Sequence, residues 1–284
     1  MSFFDSKEIK LNKKYAAIEK WCPSDFGAAF FDEFFILKVK EFQKQYGLEV
    51  DGVVGPSTYR RLMTEKEAKQ IASQKNIICN GVKIPILWGK VITFEDKNGF
   101  VAPENTYKKA DRTKIDMFVC HFDVCFSSAS CFKVLKERKL SVQFMIDNDG
   151  TIFQTMDTKH IAWHAAGVNV NSVGVEISNA FYSKYQNTYE KMGLNKRPII
   201  KDSIIHGQKL EPHLGFYPEQ LKALSALCKS LNGGVGIELQ TPDSFTIVPE
   251  IVNGTYKGIF HHYNLTTNKI DSAGLDLHQI INGV

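Results

Sequence analysis

The spacing of apolar and polar residues changes along the chain. In residues 30–47, FFDEFFILKVKEFQKQYG places Phe34, Leu37, Phe42 and Tyr46 among charged residues at roughly helical spacing, and Gly47 is placed to cap the helix. Asp51-Gly52 and Gly55-Pro56-Ser57 follow as turn signals. Pro56 or Ser57 is placed to open a further helix carrying Tyr59 and Leu62. Residues 1 to about 65 therefore predict a small module of two or three short helices. The polar stretch KEAKQIASQKN predicts the end of a helix. IICNGVKIPILWGKVITF has strand character around an Asn80-Gly81 turn, and the pattern leaves open which neighbour it packs on.

From about residue 115 the pattern is mixed. IDMFVCH predicts a buried strand ending in His121, and SSASCFKVLKERK a helix opened by Ser127 or Ser128. SVQFMIDNDGTIFQTM predicts two strands around Asn148-Asp149-Gly150, a turn too short for a calcium loop. SVGVEISNA predicts a strand with Val173, Val175 and Ile177 on one face and Gly174 and Glu176 on the other. YPEQLKALSALCKSL predicts a helix with Leu221, Leu224, Cys228 and Leu231 on one side. Pro218 lies in its first turn, and Asn232-Gly233-Gly234 is the expected stop. GIFHHYNL adds a last strand. Strands interleaved with helices imply an α/β domain with helices packed on a sheet. The expected divisions are a helical module over 1–68, a connecting segment over 69–100 and an α/β domain over 101–284.

Composition narrows the picture only a little. The 284 residues are 43% hydrophobic, enough for packed cores. The formal charge of +4 permits an acidic partner and requires none. No dense basic cluster interleaved with aromatics appears, so nucleic-acid binding is not expected. No apolar run approaches the roughly 18 residues of a membrane span, and the first residues lack a signal-peptide pattern. The expectation is synthesis in a cytoplasm without membrane insertion and without an obligate protein partner. The six cysteines form no CxxC pair and read mostly as small buried hydrophobes. Cys120, next to His121 on a strand, is expected to point to the opposite face.

Candidate chemistry gathers at strand ends. His121 closes one apolar strand and His262 another, while Asp271 follows nine residues later in a loop with Lys269. Two imidazoles and a carboxylate suit one Zn2+ and leave a coordination position for water. By spacing alone this is a weak signal, and His261 is an alternative to His262.

Four blocks around these residues resemble the zinc-dependent N-acetylmuramoyl-L-alanine amidases of the phage-lysozyme and peptidoglycan-recognition-protein superfamily, over about 115–280. They are MFVCHFDV; SVQFMIDNDGTIFQ with HIAWHAAG; NSVGVEISN; and HHYNLTTNKIDSAG. FQKQYGLEVDGVVGPSTYRRL resembles the common peptidoglycan-binding domain over about 30–64, through Asp51, Gly52, Gly55 and Pro56. The resemblance implies a central mixed sheet flanked by helices, preceded by a small all-α wall-binding domain. It implies hydrolysis of the amide between N-acetylmuramic acid and L-alanine in bacterial peptidoglycan.

In residue terms it implies His121, His262 (or His261) and Asp271 as zinc ligands, Glu176 as base and Lys269 as oxyanion stabiliser. Trp163 and His164 match a stretch near the substrate groove. Where many relatives carry Tyr-His, this chain has Val142-Gln143, which favours the glutamate route. Cys125 and Cys131 resemble a close pair that forms a disulfide in the recognition-protein branch. A phage endolysin is the expected setting, acting on the wall after release through the inner membrane and so bacteriolytic. A noncatalytic recognition protein and a virion-associated wall-degrading component are the alternatives.

Overall fold

The computed structural model describes residues 6–72, 75–112 and 114–283, with the side chains of 67–72 outside that description. The chain forms two compact units, Met1–Ser73 and Gln74–Val284.

The first unit consists of α1 (Lys7–Glu19), α2 (Glu33–Gln45) and α3 (Pro56–Ala72), with a short helical turn at Pro23–Phe26. Ser6 and Asp32 cap α1 and α2 through their side-chain oxygens. Tyr46 ends α2, and Gly47 beyond it adopts a left-handed φ of 65°. The core joins Trp21, Phe26, Phe35, Val39, Val54 and Leu62.

The face of α2 differs from the expectation. Phe34 and Leu37 are exposed, whereas Phe35, Val39 and Gln43 are buried. Apolar residues surround this helix, so its sequence does not fix which stripe turns inward. The buried amides settle it. Gln43 Oε1 accepts from Gly52 N at 2.9 Å, while its Nε2 reaches Asp51 Oδ1, Val53 O and Thr58 Oγ1 at 2.7–3.1 Å. Asn12 of α1 holds the same turn, donating to Gly52 O at 2.9 Å and accepting from Val54 N at 2.7 Å. The 51–54 backbone, which has no ladder of its own, thus receives hydrogen bonds from two buried side chains.

The second unit begins with the hairpin β1 (Lys75–Cys79) and β2 (Val82–Ile86), then β3 (Val91–Thr93), β4 (Tyr107–Lys108) and β5 (Met117–Phe122). After α4 (Ser128–Glu137) come β6 (Phe144–Ile146), β7 (Ile152–Gln154), β8 (Ile161–Ala162) and β9 (Ser172–Ile177). A longer excursion holds α5 (Gln186–Lys191), β10 (Ile199–Ile200), β11 (Ile204–Ile205), β12 (Gln208–Lys209) and β13 (His213–Leu214). It is followed by α6 (Pro218–Val235), α7 (Pro249–Val252), β14 (Gly258–His261) and α8 (Leu277–Asn282). The central sheet has the order β14-β5-β9-β6-β7-β3 and is parallel except between β6 and β7. One face packs Phe118, Cys120, Val173, Val175 and Ile177 with Leu224, Leu227, Cys228 and Leu231 of α6. The other face packs Met117, Val119 and Phe260 with Ala165, Val168 and Ile251.

Two expectations about boundaries change. From Lys75 onward the supposed connecting segment 69–100 belongs to the second unit, and α3 runs through residue 68 to Ala72. Ile78 exchanges two hydrogen bonds with the Gln154 side chain, and Asn80 N and Gly81 N donate to Asp157. β3 lies parallel to β7 at the sheet edge. Residues 73 and 74 of the polar stretch lie outside the described residues. The expected stop at 232–234 is also overturned, because α6 continues to Val235 and Gly236 caps it. A Cβ on Gly234 would come within 2.9 Å of Ile84 Cγ1. Gly234 therefore serves the close approach of the β1–β2 hairpin.

Candidate metal centre

Strand alternation sorts the histidines. His121 pairs in register with Glu176 of the neighbouring parallel strand, so both side chains rise from one face. At the end of β14, His261 pairs with Cys120 and turns to the opposite face, leaving His262 on the face of His121. Tyr263 N donates to Asp271 O at 2.9 Å, which folds the 266–271 loop back over the strand ends.

The result is a tight triangle. His121 Nδ1 lies 3.0 Å from His262 Nδ1 and 2.9 Å from Asp271 Oδ2, and His262 Nδ1 is 3.0 Å from that same oxygen. All three residues are buried. Protons cannot satisfy every edge of this arrangement, because two Nδ1–H groups aimed at one oxygen leave the Nδ1···Nδ1 edge without a bond. One cation at the centre satisfies all three. Tetrahedral zinc spaces such donors by roughly 3.3 Å, so the triangle needs to open by only a few tenths of an ångström.

Burial first, and then the neighbouring His262, lowers the His121 pKa to about 4. Burial pushes Asp271 up, but hydrogen bonds from His121 and His262 outweigh it and hold the carboxyl well below the usual range. A neutral imidazole facing an ionised carboxylate is the protonation state a metal needs.

His261 serves another environment. Its Nδ1 meets Ser272 Oγ at 2.9 Å, and its ring stacks on Tyr263 with centroids 4.5 Å apart. It lines a separate cavity of about 950 Å³ with Ile204, Phe245 and Leu275.

Glu176 stands on the face of the triangle, and its buried Oε2 has no hydrogen-bond partner among the described residues. Burial, with Asp123 and Asp271 nearby, raises its carboxyl well above the usual range. A groove of about 490 Å³ opens over this face, lined by Leu140, Trp163, His164, His262, Asn268 and Lys269. Trp163 is 37% exposed there, enough to meet a ligand. At the expected Tyr-His position, Val142 is core, and Gln143 is a buried bridge between Gly174 N and His160 O.

A second group, Asp123, Cys125 and Cys131, also converges, with potential ligand atoms within 4.8 Å of one another. Both Asp123 oxygens already accept hydrogen bonds, from Cys125 N, Asn179 N and the Ser178 hydroxyl. Both cysteines are free thiols in this structure. Cys120 lies in the core on the opposite face from His121, as alternation requires.

In the first unit Asp51 is exposed and Gly52 buried. Pro56 opens α3 and is exposed. A Cβ on Gly52, at φ 76°, would meet Ile36 and Lys40 side chains at 2.8–2.9 Å.

His206, which has no motif support and is expected to be structural or exposed, takes a place beside the site. It sits at the tip of the β11–β12 hairpin, with Nε2 3.1 Å from Lys269 O and Nδ1 3.2 Å from Thr246 Oγ1. It pins the loop that carries Lys269. No linear signal marks it, since the contact spans 63 positions.

No curated protein matches the sequence. Among solved structures, the endolysin amidase LysCS from Clostridium intestinale is 15% identical, covering 69% of this chain and 97% of its own at a TM-score of 0.41. AmpDh3 from Pseudomonas aeruginosa, in complex with anhydromuramic pentapeptide, is 18% identical, covering 66% and 64% at 0.39. The Staphylococcus aureus hydrolase AmiA is 12% identical, covering 68% and 80% at 0.38. Similarity this low assigns no residue a role. The family models are more direct. A peptidoglycan-binding domain model matches residues 27–62, and the N-acetylmuramoyl-L-alanine amidase model matches residues 111–273, more than half of the chain. The chain belongs to the N-acetylmuramoyl-L-alanine amidase family, with peptidoglycan as its substrate.

Proposed function

We propose that this chain is a zinc-dependent wall amidase that cleaves the bond between the lactyl group of N-acetylmuramic acid and L-alanine. The observation that carries the proposal is the triangle of His121, His262 and Asp271 on the same sheet face as Glu176, whose Oε2 has no hydrogen-bond partner among the described residues. Those three residues would hold the ion. When bound, zinc supplies the positive charge that acidifies a water and polarises the scissile carbonyl.

The chain's own groups do the rest. Glu176 takes the proton of the attacking water and returns it to the departing amine. Its raised pKa suits both halves of that task. Lys269, on the groove wall, donates to the oxygen that becomes negative. Trp163 offers an exposed apolar ring to the glycopeptide beside the bond.

The first unit tethers the enzyme to the wall, with the 51–56 turn as the proposed contact. Wall tether and wall hydrolase in one chain support a lysin. Recovery of the protein in purified phage particles would make it a virion component instead. Against a noncatalytic recognition protein stands the complete donor set with its neighbouring base.

The test is digestion of purified peptidoglycan by the full chain. New N-terminal L-alanine is expected, abolished by a chelator and restored by added zinc. Release of reducing sugar without it would overturn the proposal.

A further inference from the structure

Beside His121 lies a second ring, half-buried at the groove wall. His121 directs Nδ1 into the triangle, while its Nε2 lies 3.1 Å from His164 Nδ1. His164 Nε2 in turn lies 3.4 Å from Ser172 Oγ. The two rings meet edge to face, at 87° with centroids 5.3 Å apart.

Hydrogen bonding then assigns every ring proton. A metal-binding Nδ1 carries no proton, so neutral His121 carries its proton on Nε2. That N–H must donate, so His164 Nδ1 accepts. The His164 proton is therefore on Nε2 and points at the Ser172 hydroxyl. Reversing the chain would place a proton on His121 Nδ1 and remove it as a ligand.

The fold holds His164 in this orientation. Its backbone N and that of Ala165 both donate to Asn169 Oδ1, at 3.2 and 2.8 Å. Its ring lies against Gly174, one position along the face between Ser172 and Glu176. A Cβ on Gly174 would stand 2.5 Å from His164 Nδ1 and 2.7 Å from Cε1. Gly174 lacks a positive φ, so the space taken by the ring, rather than backbone freedom, requires glycine here.

We infer that His164, seated in the notch at Gly174, is a positioning residue that locks His121 in its metal-binding tautomer. This replaces the substrate contact expected for it. The inference rests on the metal-centre reading above, and zinc affinity tests the two separately. Partners of this kind typically change metal affinity by about 10–100-fold when lost.

The experiment measures zinc affinity of the full chain by competition with a chromophoric chelator, with far-UV circular dichroism as a check on folding. His164→Phe keeps a ring but no acceptor, and is expected to weaken zinc about 10–100-fold with an unchanged spectrum. His164→Asn places an acceptor near the Nδ1 position and is expected to recover most of the loss. Gly174→Ala leaves His164 in the sequence but fills its notch, and is expected to weaken zinc similarly. Wild-type zinc affinity in His164→Phe would overturn the inference, and a raised KM alongside it would make His164 a substrate contact. Wild-type affinity in Gly174→Ala would overturn the notch. A wild-type chain that binds no zinc would overturn the metal centre itself.

Discussion

Substituting Gln43→Met tests whether the turn of the first unit is held from inside. Methionine keeps the length and most of the volume but offers no amide. Gln43 is 1% exposed, so water does not replace it. Gly52 N and Thr58 Oγ1, both buried, lose their partner, and Val53 O loses one as well. A buried group left unsatisfied costs about 1–3 kcal/mol, so the two fully buried ones place the loss at about 2–6 kcal/mol. A unit of this size has roughly 3–10 kcal/mol in total. Hydrogen exchange on the full chain reads that loss in α2 separately from the catalytic unit. Protection at Phe35 and Val39 is expected to fall about 100-fold, and retention on insoluble peptidoglycan to fall with it. Phe34→Ser, on the exposed side of the same helix, is expected to stay within about 0.5 kcal/mol of wild type. A loss below that size in Gln43→Met would refute the reasoning.

Glu176→Gln is expected to lower kcat by about 10²–10⁴ while one zinc per chain is retained; unchanged turnover would remove it as the base. His262→Ala is expected to lose zinc, whereas His261→Ala keeps it, measured by metal content after dialysis; the reverse would assign the ligand to His261. His206→Ala releases the Lys269 carbonyl and is expected to cost about 1 kcal/mol, a fall of about fivefold in kcat at unchanged zinc content. Wild-type kcat there would mean that the Lys269 loop holds its position unaided.

Legibility in the sequence followed the range of the interactions. Strand alternation is local, so Val173, Val175 and Ile177 could be separated from Glu176, and Cys120 from His121, by counting alone. The candidate ligand set could be proposed because each residue lies inside a short block with a recognisable pattern. Asn12 and Gln43 lay beyond that reach. An amide on a helix reads as solvated unless one knows that a turn 40 or 9 residues away requires its hydrogen bonds. Phe34 and Leu37 misled for a related reason, since a helix with apolar residues on several sides does not announce its phase. Gly234 read as a helix stop because its packing partner, Ile84, is 150 positions distant. The role proposed for His164 was not legible, because it depends on the ring of His121 and the notch at Gly174.

The edge position of β3 bears on how the catalytic unit can be isolated. A fragment beginning at residue 101 would retain every proposed ligand yet expose the backbone of β7, which now pairs with β3. It would also strip Gln154 and Asp157 of their partners and uncover the α6 surface around Gly234. An unprotected strand edge beside fresh apolar surface invites pairing with other chains. Begun at Lys75, the fragment keeps its own edge strand, so low activity in the shorter one would report self-association rather than a damaged centre.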